Sequence, residues 1–447
     1  MNNLKNIIFN KQWLVKLEKI FLLTNLLIFF FLWDVKYYLQ KININFDPRV
    51  LILFSLIFII PRIKEKLKKI IISLLISFLI AAHLFINLYY DQTYIEHKHF
   101  SYIIFFFIII FFTLHYKDLI ILNIKKICII FLCISSSFLI IFNYNIVDYK
   151  ELFFCGFIRS EGPLFKIFFQ ENSHFGMVAS SVLFYMITSK KNLYENILML
   201  IFIVIFFFYS STTLVFSLAI MLILLVFLEF YYKKNYIFNN KKKIFLLLIF
   251  IMLSLSKYSC NRKIFEFTKL DFINSRYLEN NKGIIDKYFK DFSLSDAEKK
   301  KLLINQYNNS EITITTQVFI NSLEIALNTL SKRFFGYGIN NYETAFNKEI
   351  SLRENFYYIE DVKHINKNDG SSNALKLMTE FGILSFFIAI YVVYFFFKKN
   401  IPINVKLFLI SIILSQSLRG AGYFNGGFLI SLILIISLSH SYQDDKS

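Results

Sequence analysis

Residues 334–346 read FFGYGINNYETAF, and residues 371–397 read SSNALKLMTEFGILSFFIAIYVVYFFF. The first stretch is a glycine-containing turn, Gly336-Tyr337-Gly338, followed by polar and aromatic residues. The second begins on two small hydroxyl residues, Ser371 and Ser372, and runs into an apolar helix with Glu380 and Gly382 near its start. A polar segment that feeds a long apolar helix places polar groups at a membrane–water boundary. The remaining chain decides whether this is a membrane protein.

The 447 residues are 56% hydrophobic and include 56 phenylalanines, too apolar a composition for a water-soluble protein of this length. About twelve apolar runs approach the length that crosses a bilayer. Phe, Ile, Lys, Asn and Tyr are all abundant, a bias that inflates any hydropathy score, so charge placement is the independent check. With the N-terminus inside, the inside loops hold Lys5 to Lys19, Arg62 to Lys69, Lys117 to Lys126, Lys190 and Lys191, Lys233 to Lys243, and Lys398 to Lys406. The short outside loops hold far fewer basic residues, and the alternation is kept at every step.

This predicts an all-α integral membrane protein of about twelve transmembrane helices with cytoplasmic N- and C-termini. Residues 1–255 hold spans one to nine. Residues 256–372 form a large external loop subdomain. Residues 373–447 hold the last three spans and a cytoplasmic tail. Phe100–His115 and Ile127–Asn143 read as two spans joined inside, and Leu375–Phe397 as one. Within the loop, Ile314–Leu330 has helical apolar spacing and either lies along the membrane surface or caps the bundle. The run Phe21–Trp33 is followed by no small-residue cleavage site and reads as a retained span.

The net charge of +18 would suggest a nucleic-acid partner in a soluble protein. Here the lysines lie between apolar runs, so no nucleic acid is expected. Cys128 and Cys133 read as packing residues. Cys155 and Cys260 both fall in external loops, where a disulfide is one reading. Glu96, His97 and His99 share a short loop but lack the further ligand of a metal site, and no metal is expected. The Gly336-x-Gly338 pair follows no strand and is no nucleotide motif.

Phe335, Gly336, Gly338 and Asn341, followed by Ser372, Asn373, Glu380, Gly382 and Ile383, resemble two motifs of the O-antigen polymerase and ligase superfamily. Arg159, Gly162, Asn172 and Gly176 match a third. The resemblance implies a GT-C-like membrane glycosyltransferase at the periplasmic side of the bacterial inner membrane. Its substrates would be polyprenyl-pyrophosphate-linked oligosaccharides in the lipid bilayer, and its partners a chain-length regulator and a flippase. A growing glycan would pass from polyprenyl pyrophosphate to the next lipid-linked repeat unit, with no cofactor. The alternatives are an O-antigen ligase, which hands the glycan to a lipid-A core, and, from another class, a transporter or flippase. Counting the ligase pattern back from Gly382 puts Ser371 where the ligases have histidine. The turn Ser210 to Thr213 lacks the arginine that related proteins often carry there.

Arginine is scarce beside lysine, and Arg159, Arg276, Arg333 and Arg419 all fall in predicted external loops. A planar guanidinium suits a pyrophosphate, which needs several fixed donors; the alternative for each is a rim ion pair with nearby Asp or Glu. Glu380, near the outer end of its span, is a candidate base or orienter of the acceptor sugar. It is equally readable as a first-turn carboxylate favoured by the helix dipole. His364, the lone histidine of the long loop, is the other candidate base, or simply exposed.

Overall fold

In the computed structural model of the chain, the described residues are 11–35, 39–40, 43–44, 46–59, 63–91, 97–143, 172–189, 192–208, 212–232, parts of 241–251, 314–351, 366–368, 370–420 and 422–441. The elements in order are α1 (Lys11–Phe30), a 3-10 turn (Pro48–Leu51), α2 (Ile52–Ile59), α3 (Ile63–Asp91), α4 (His97–Asn143), α5 (Asn172–Thr188), α6 (Leu193–Phe208) and α7 (Thr212–Tyr232). After these come α8 (Ile314–Lys332), α9 (Tyr342–Ser351), α10 (Asn373–Phe381), α11 (Leu384–Phe397), α12 (Ile403–Leu418) and α13 (Phe428–Ser441). The protein is all-α and membrane-embedded. Among the described residues, three helical stretches are long and apolar enough to cross a membrane, Leu67–Tyr90, His97–Ser137 and Thr213–Tyr232. Shorter apolar helices accompany them.

The outside of the bundle is as apolar as its inside. Phe78, Phe230, Leu122 and Ile223 are largely exposed, while Phe30, Phe31, Phe112, Phe131, Phe184 and Phe202 are fully buried. An outer surface of this kind is stable only against lipid. With lipid outside, the helices associate through close packing, and the buried phenylalanines fill the space between them. Phe31 stacks on Phe131 at 4.4 Å, and Phe131 meets the ring of Phe202 at 5.8 Å.

The two apolar runs read as separate spans are continuous in α4, which has 47 residues. Residues 116–126 contain no glycine or proline to break the helix. A straight helix would separate Phe105 from Phe131 by about 39 Å. Yet Phe105 lies 6.1 Å from Phe29 and Phe131 lies 4.4 Å from Phe31, two residues further along at the end of α1. The helix therefore bends back on itself. Between the two limbs, Tyr116 donates to Glu18 near the start of α1 (2.9 Å), and Lys125 pairs with Glu195 near the start of α6 (2.8 Å). Lysines gather at this end of the bundle: Lys398 donates to the Ser439 carbonyl, and Lys406 to the Tyr232 hydroxyl and the Lys398 carbonyl. The opposite end carries the glycine turns.

The run Leu375–Phe397 departs from expectation. It is two helices, α10 and α11, with Gly382 between them at φ +55°. A broken helix leaves carbonyls without intrahelical partners, which is costly near lipid. The turn at 334–338 supplies the missing bonds. The Tyr337 and Gly338 N–H groups donate to the Thr379 and Glu380 carbonyls (3.0 and 2.8 Å), and the Ile383 N–H donates to the Phe334 carbonyl (2.9 Å). Helix α8 packs on α10.

The bent α4 is checked by cross-linking. In a chain whose four cysteines are replaced by alanine, the pairs Phe29→Cys with Phe105→Cys and Phe31→Cys with Phe131→Cys should both join through a short bifunctional thiol reagent. A straight α4 permits only one of the two, so a single reactive pair refutes the bend.

Candidate functional site

Three segments that are distant in sequence meet at the end of the bundle opposite the lysines. They are the turn 334–342, the segment 370–382, and the turn 417–427 between α12 and α13. Glycine is required at two of the approaches. A Cβ on Gly336 would lie 2.6 Å from the Glu380 carbonyl, and one on Gly382 would lie 2.2 Å from the Phe334 oxygen. The backbones touch here, which leaves no room for a side chain.

Glu380 is fully buried at the centre of this contact. The Tyr423 hydroxyl donates to its Oε2 at 2.7 Å. The backbone N–H groups of Asn340 and Tyr342 and the Lys376 ammonium also face the carboxylate. Lys376, itself buried, donates to the Asn368 carbonyl (2.8 Å) and lies 5.2 Å from the centre of the Tyr423 ring. A buried carboxylate is stable only with such partners. The glycine turn thus wraps the glutamate side chain while its own N–H groups bond the end of the same helix.

The hydroxyl residues at 371–372 have an equally specific place. Ser372 caps α10, accepting from the Leu375 N–H (3.3 Å), and its hydroxyl donates to the Ser417 carbonyl at the end of α12 (2.5 Å). The Gly420 N–H donates to the Ser371 carbonyl (2.9 Å). Asn373 donates to Gln416 Oε1 (2.9 Å) and accepts from the Gly422 N–H (3.1 Å). Residues 371–373 are therefore stitched to the turn that carries Arg419.

Arg419 is half-buried and caps α12 next to this seam. Arg333 lies over the Tyr337 ring, with its guanidinium carbon 4.1 Å from the ring centre, a cation–π contact inside the glycine turn. The structure therefore brings Glu380, Arg333 and Arg419 to one end. Arg159, Arg276 and His364, like Cys155 and Cys260, lie outside the described residues. Among the described residues, no group of three or more His, Cys, Asp or Glu side chains could hold a metal ion.

Sequence reading missed several polar groups at this end. Tyr423 and Lys376, which complete the Glu380 cluster, are common residue types with no local signature. His174, two residues beyond Asn172 of the third motif, donates from Nδ1 to the buried Asp34 at 2.7 Å, with the Trp33 ring beside it. Only the tertiary fold joins positions 34 and 174. Arg49 pairs with Asp47 and donates to Asn425 Oδ1 (2.9 Å), fixing the turn after Arg419 from outside. Glu343 on α9 bonds Lys367 (2.9 Å) and faces Lys98 on α4 (3.7 Å). The hydrogen bond to Lys367 holds the Glu343 carboxyl below the usual range. What this pair contributes to stability is present at neutral pH and fades as pH falls through the lowered value.

No protein-family model, curated protein or solved structure matches this chain.

The Glu380 cluster makes a stability prediction. Glu380→Ala removes the acceptor of the Tyr423 hydroxyl and the negative charge facing the Lys376 ammonium. It should cost about 1.5–3 kcal/mol for each charged hydrogen bond lost. Glu380→Gln keeps an acceptor for Tyr423 and should cost less. Thermal unfolding in mild detergent measures both. Equal melting temperatures for the wild type and Glu380→Ala would remove the carboxylate from the framework.

Proposed function

We propose that this chain is a polysaccharide polymerase of the bacterial inner membrane. It transfers a growing glycan from polyprenyl pyrophosphate to an incoming lipid-linked repeat unit. The observation that carries this reading is the convergence of two motif segments, 334–342 and 370–382, with the arginine-bearing turn 417–427 on one end of the bundle, around Glu380. A site for a lipid-linked substrate belongs at such an end, where the sugar stays in water and the lipid stays in the bilayer. The helices cross the membrane about twelve times, both termini are cytoplasmic, and the converging end faces the periplasm.

In the reaction, an acceptor hydroxyl oxygen attacks the anomeric carbon, the carbon–oxygen bond to pyrophosphate breaks, and the pyrophosphate carries away the electron pair. Direct displacement inverts the anomeric centre. Arg419, with Arg159, Arg276 and Arg333, stabilises the charge that develops on the leaving group, each charged hydrogen bond contributing about 1.5–3 kcal/mol. The acceptor proton goes to a nearby base. Glu380 has no exposed surface, so its part is to hold the turn that positions the sugar. His364 and His174 remain as bases. Asp34 fixes His174 Nδ1 as a donor and leaves Nε2 to receive a proton.

The ligase alternative loses support at Ser371. This residue stands at the ligase histidine's position, is buried, and has a hydroxyl whose pKa is far too high to accept a proton.

Cells lacking the protein should show core plus one repeat unit on a glycan gel; core alone would indicate a ligase, and an earlier block a transporter. Arg159→Ala and Arg419→Ala should each abolish polymer at unchanged membrane levels of the protein. Lysine at either position should restore only part of the activity, since a point charge does not reproduce a planar fork. Wild-type ladders from both alanine variants would remove pyrophosphate binding from these residues.

The base is tested with purified lipid-linked repeat units. His174→Ala or His364→Ala should lose most of the polymerisation rate while substrate binding persists. Full activity in both would leave arginine stabilisation as the main chemical contribution.

A further inference from the structure

Two helices measure how deep the glycine turn lies. On α3, Lys69 stands at the lysine end, and Tyr89 and Tyr90 are largely exposed at the other. From Lys69 to Tyr89 is about 30 Å of helix, the thickness of the ~30 Å hydrocarbon core. Exposed tyrosines at that distance mark the membrane boundary on the Glu380 side, where aromatic belts sit.

The turn meets α3 well inside this span. His83 Nε2 donates to the Phe335 carbonyl (2.8 Å), and a Cβ on Gly338 would lie 3.2 Å from Leu84 Cα and 3.3 Å from Asn87 Cβ. Along the helix His83 is about 21 Å from Lys69 and about 9 Å short of Tyr89. Helix α11 gives the same depth independently. The Ile383 N–H, which bonds the Phe334 carbonyl, is about 23 Å of helix from Lys398, where α11 ends. Helix tilt shortens both distances to the lysine end, which takes the turn deeper.

At this depth two side chains face outward. Phe334 and Phe335 are 61% and 54% exposed, with ring centres 5.1 Å apart. The surfaces on either side are continuous with the lipid-facing ones of the bundle, through Phe78 and Ile86 on α3 and Phe387 and Ile390 on α11. Irregular backbone persists at membrane depth only when its polar groups are bonded to protein. Here the Gly336 N–H donates to the Arg333 carbonyl (2.9 Å), and the Tyr337 and Gly338 N–H groups donate to α10. The Phe334 and Phe335 carbonyls accept from Ile383 and His83.

We infer that residues 334–338 form a re-entrant turn. It dips into the leaflet on the Glu380 side, and the Phe334 and Phe335 rings pack among the acyl chains there. This part of the region 256–372, expected as an external loop, is membrane-inserted. Because the Gly338 N–H bonds the Glu380 carbonyl, the carboxylate cluster also lies below the boundary that Tyr89 and Tyr90 mark. The inference does not rest on the proposed reaction.

The test is spin labelling of the full chain, its four cysteines replaced by alanine, in vesicles of phosphatidylethanolamine and phosphatidylglycerol. Nitroxides are placed one at a time at Phe334→Cys and Phe335→Cys. The references are Phe78→Cys on the lipid face of α3 and Asn347→Cys at an exposed position of α9. Oxygen concentrates among acyl chains, and a chelated nickel ion stays in water. The ratio of oxygen to nickel collisions at 334 and 335 should be several-fold above that at 347 and close to that at 78. A ratio like that at 347 puts the rings in water and overturns the inference. Little collision with either reagent means that protein covers them, a second copy or another part of the chain, and overturns it equally. The unaltered chain gives a second measurement that no substitution disturbs. Phospholipids with a photoreactive diazirine midway along an acyl chain should leave adducts on Phe334 or Phe335. Adducts on α3 with none at 334–335 would refute the insertion. None of these readouts uses activity, so the inference and the proposed reaction fail separately.

Discussion

The buried carboxylate of Glu380 is the constraint on which this end of the molecule depends. A charge without water must be surrounded by donors, and in this chain they come from three places: the backbone of 340–342, Tyr423 from the turn between α12 and α13, and Lys376 one helical turn earlier. Removing the glutamate would therefore loosen segments about forty residues away on either side. The same geometry explains why a glycine turn and a glutamate–glycine pair belong together. The turn caps the carbonyls exposed where α10 breaks at Gly382, and in doing so wraps the side chain that precedes the break. Neither could keep its shape beside lipid alone, since each supplies the other's missing hydrogen bonds.

The two ends of the bundle are built on different principles. At the lysine end, long side chains reach across to carbonyls and hydroxyls, as Lys398 does to Ser439 and Lys406 to Tyr232. Such contacts tolerate small shifts of the helices. At the other end, backbone bonds backbone and small polar side chains bridge turns, as with Gly420 to Ser371 and Asn373 to Gln416. These bonds fix position closely, because a main-chain donor cannot swing to a new partner. A site that must hold a reacting sugar within a fraction of an ångström belongs on the second kind of framework.

What the sequence made legible follows from the range of each signal. Composition and lysine placement are properties of whole segments, and they carried the all-α, membrane-embedded fold. The hydroxyl pair 371–372, the glycines 336, 338 and 382, and Arg419 each announce a backbone need or a rare residue choice, so they could be singled out one at a time. That the segment joining Phe100–His115 to Ile127–Asn143 is itself helical was illegible, because charged residues such as Lys117 and Asp118 mark a membrane boundary without marking the end of a helix. The break at Gly382 was hidden for the opposite reason: apolar residues on both sides read as one span, and only the approach of Phe334 forces the glycine to be a hinge. Partnerships between distant residues, Asp34 with His174 and Tyr423 with Glu380, leave no periodic trace at all.

The positions of the arginines add a last step. Arg333 leans on Tyr337 within the wrapped turn, and Arg419 caps α12 where Gly420 bonds Ser371. Both side chains grow from the rigid seam but sit at its margin, less buried than the cluster around Glu380. A guanidinium needs this arrangement if it is to meet a pyrophosphate: a fixed base, so that the fork is pre-organised, and a head left partly in water until the anion displaces it. Buried as deeply as Glu380, an arginine would spend its hydrogen bonds on the protein. Out on a long loop, it would lose entropy on every binding event. The margin of the seam avoids both costs, as the proposed reaction requires of its arginines.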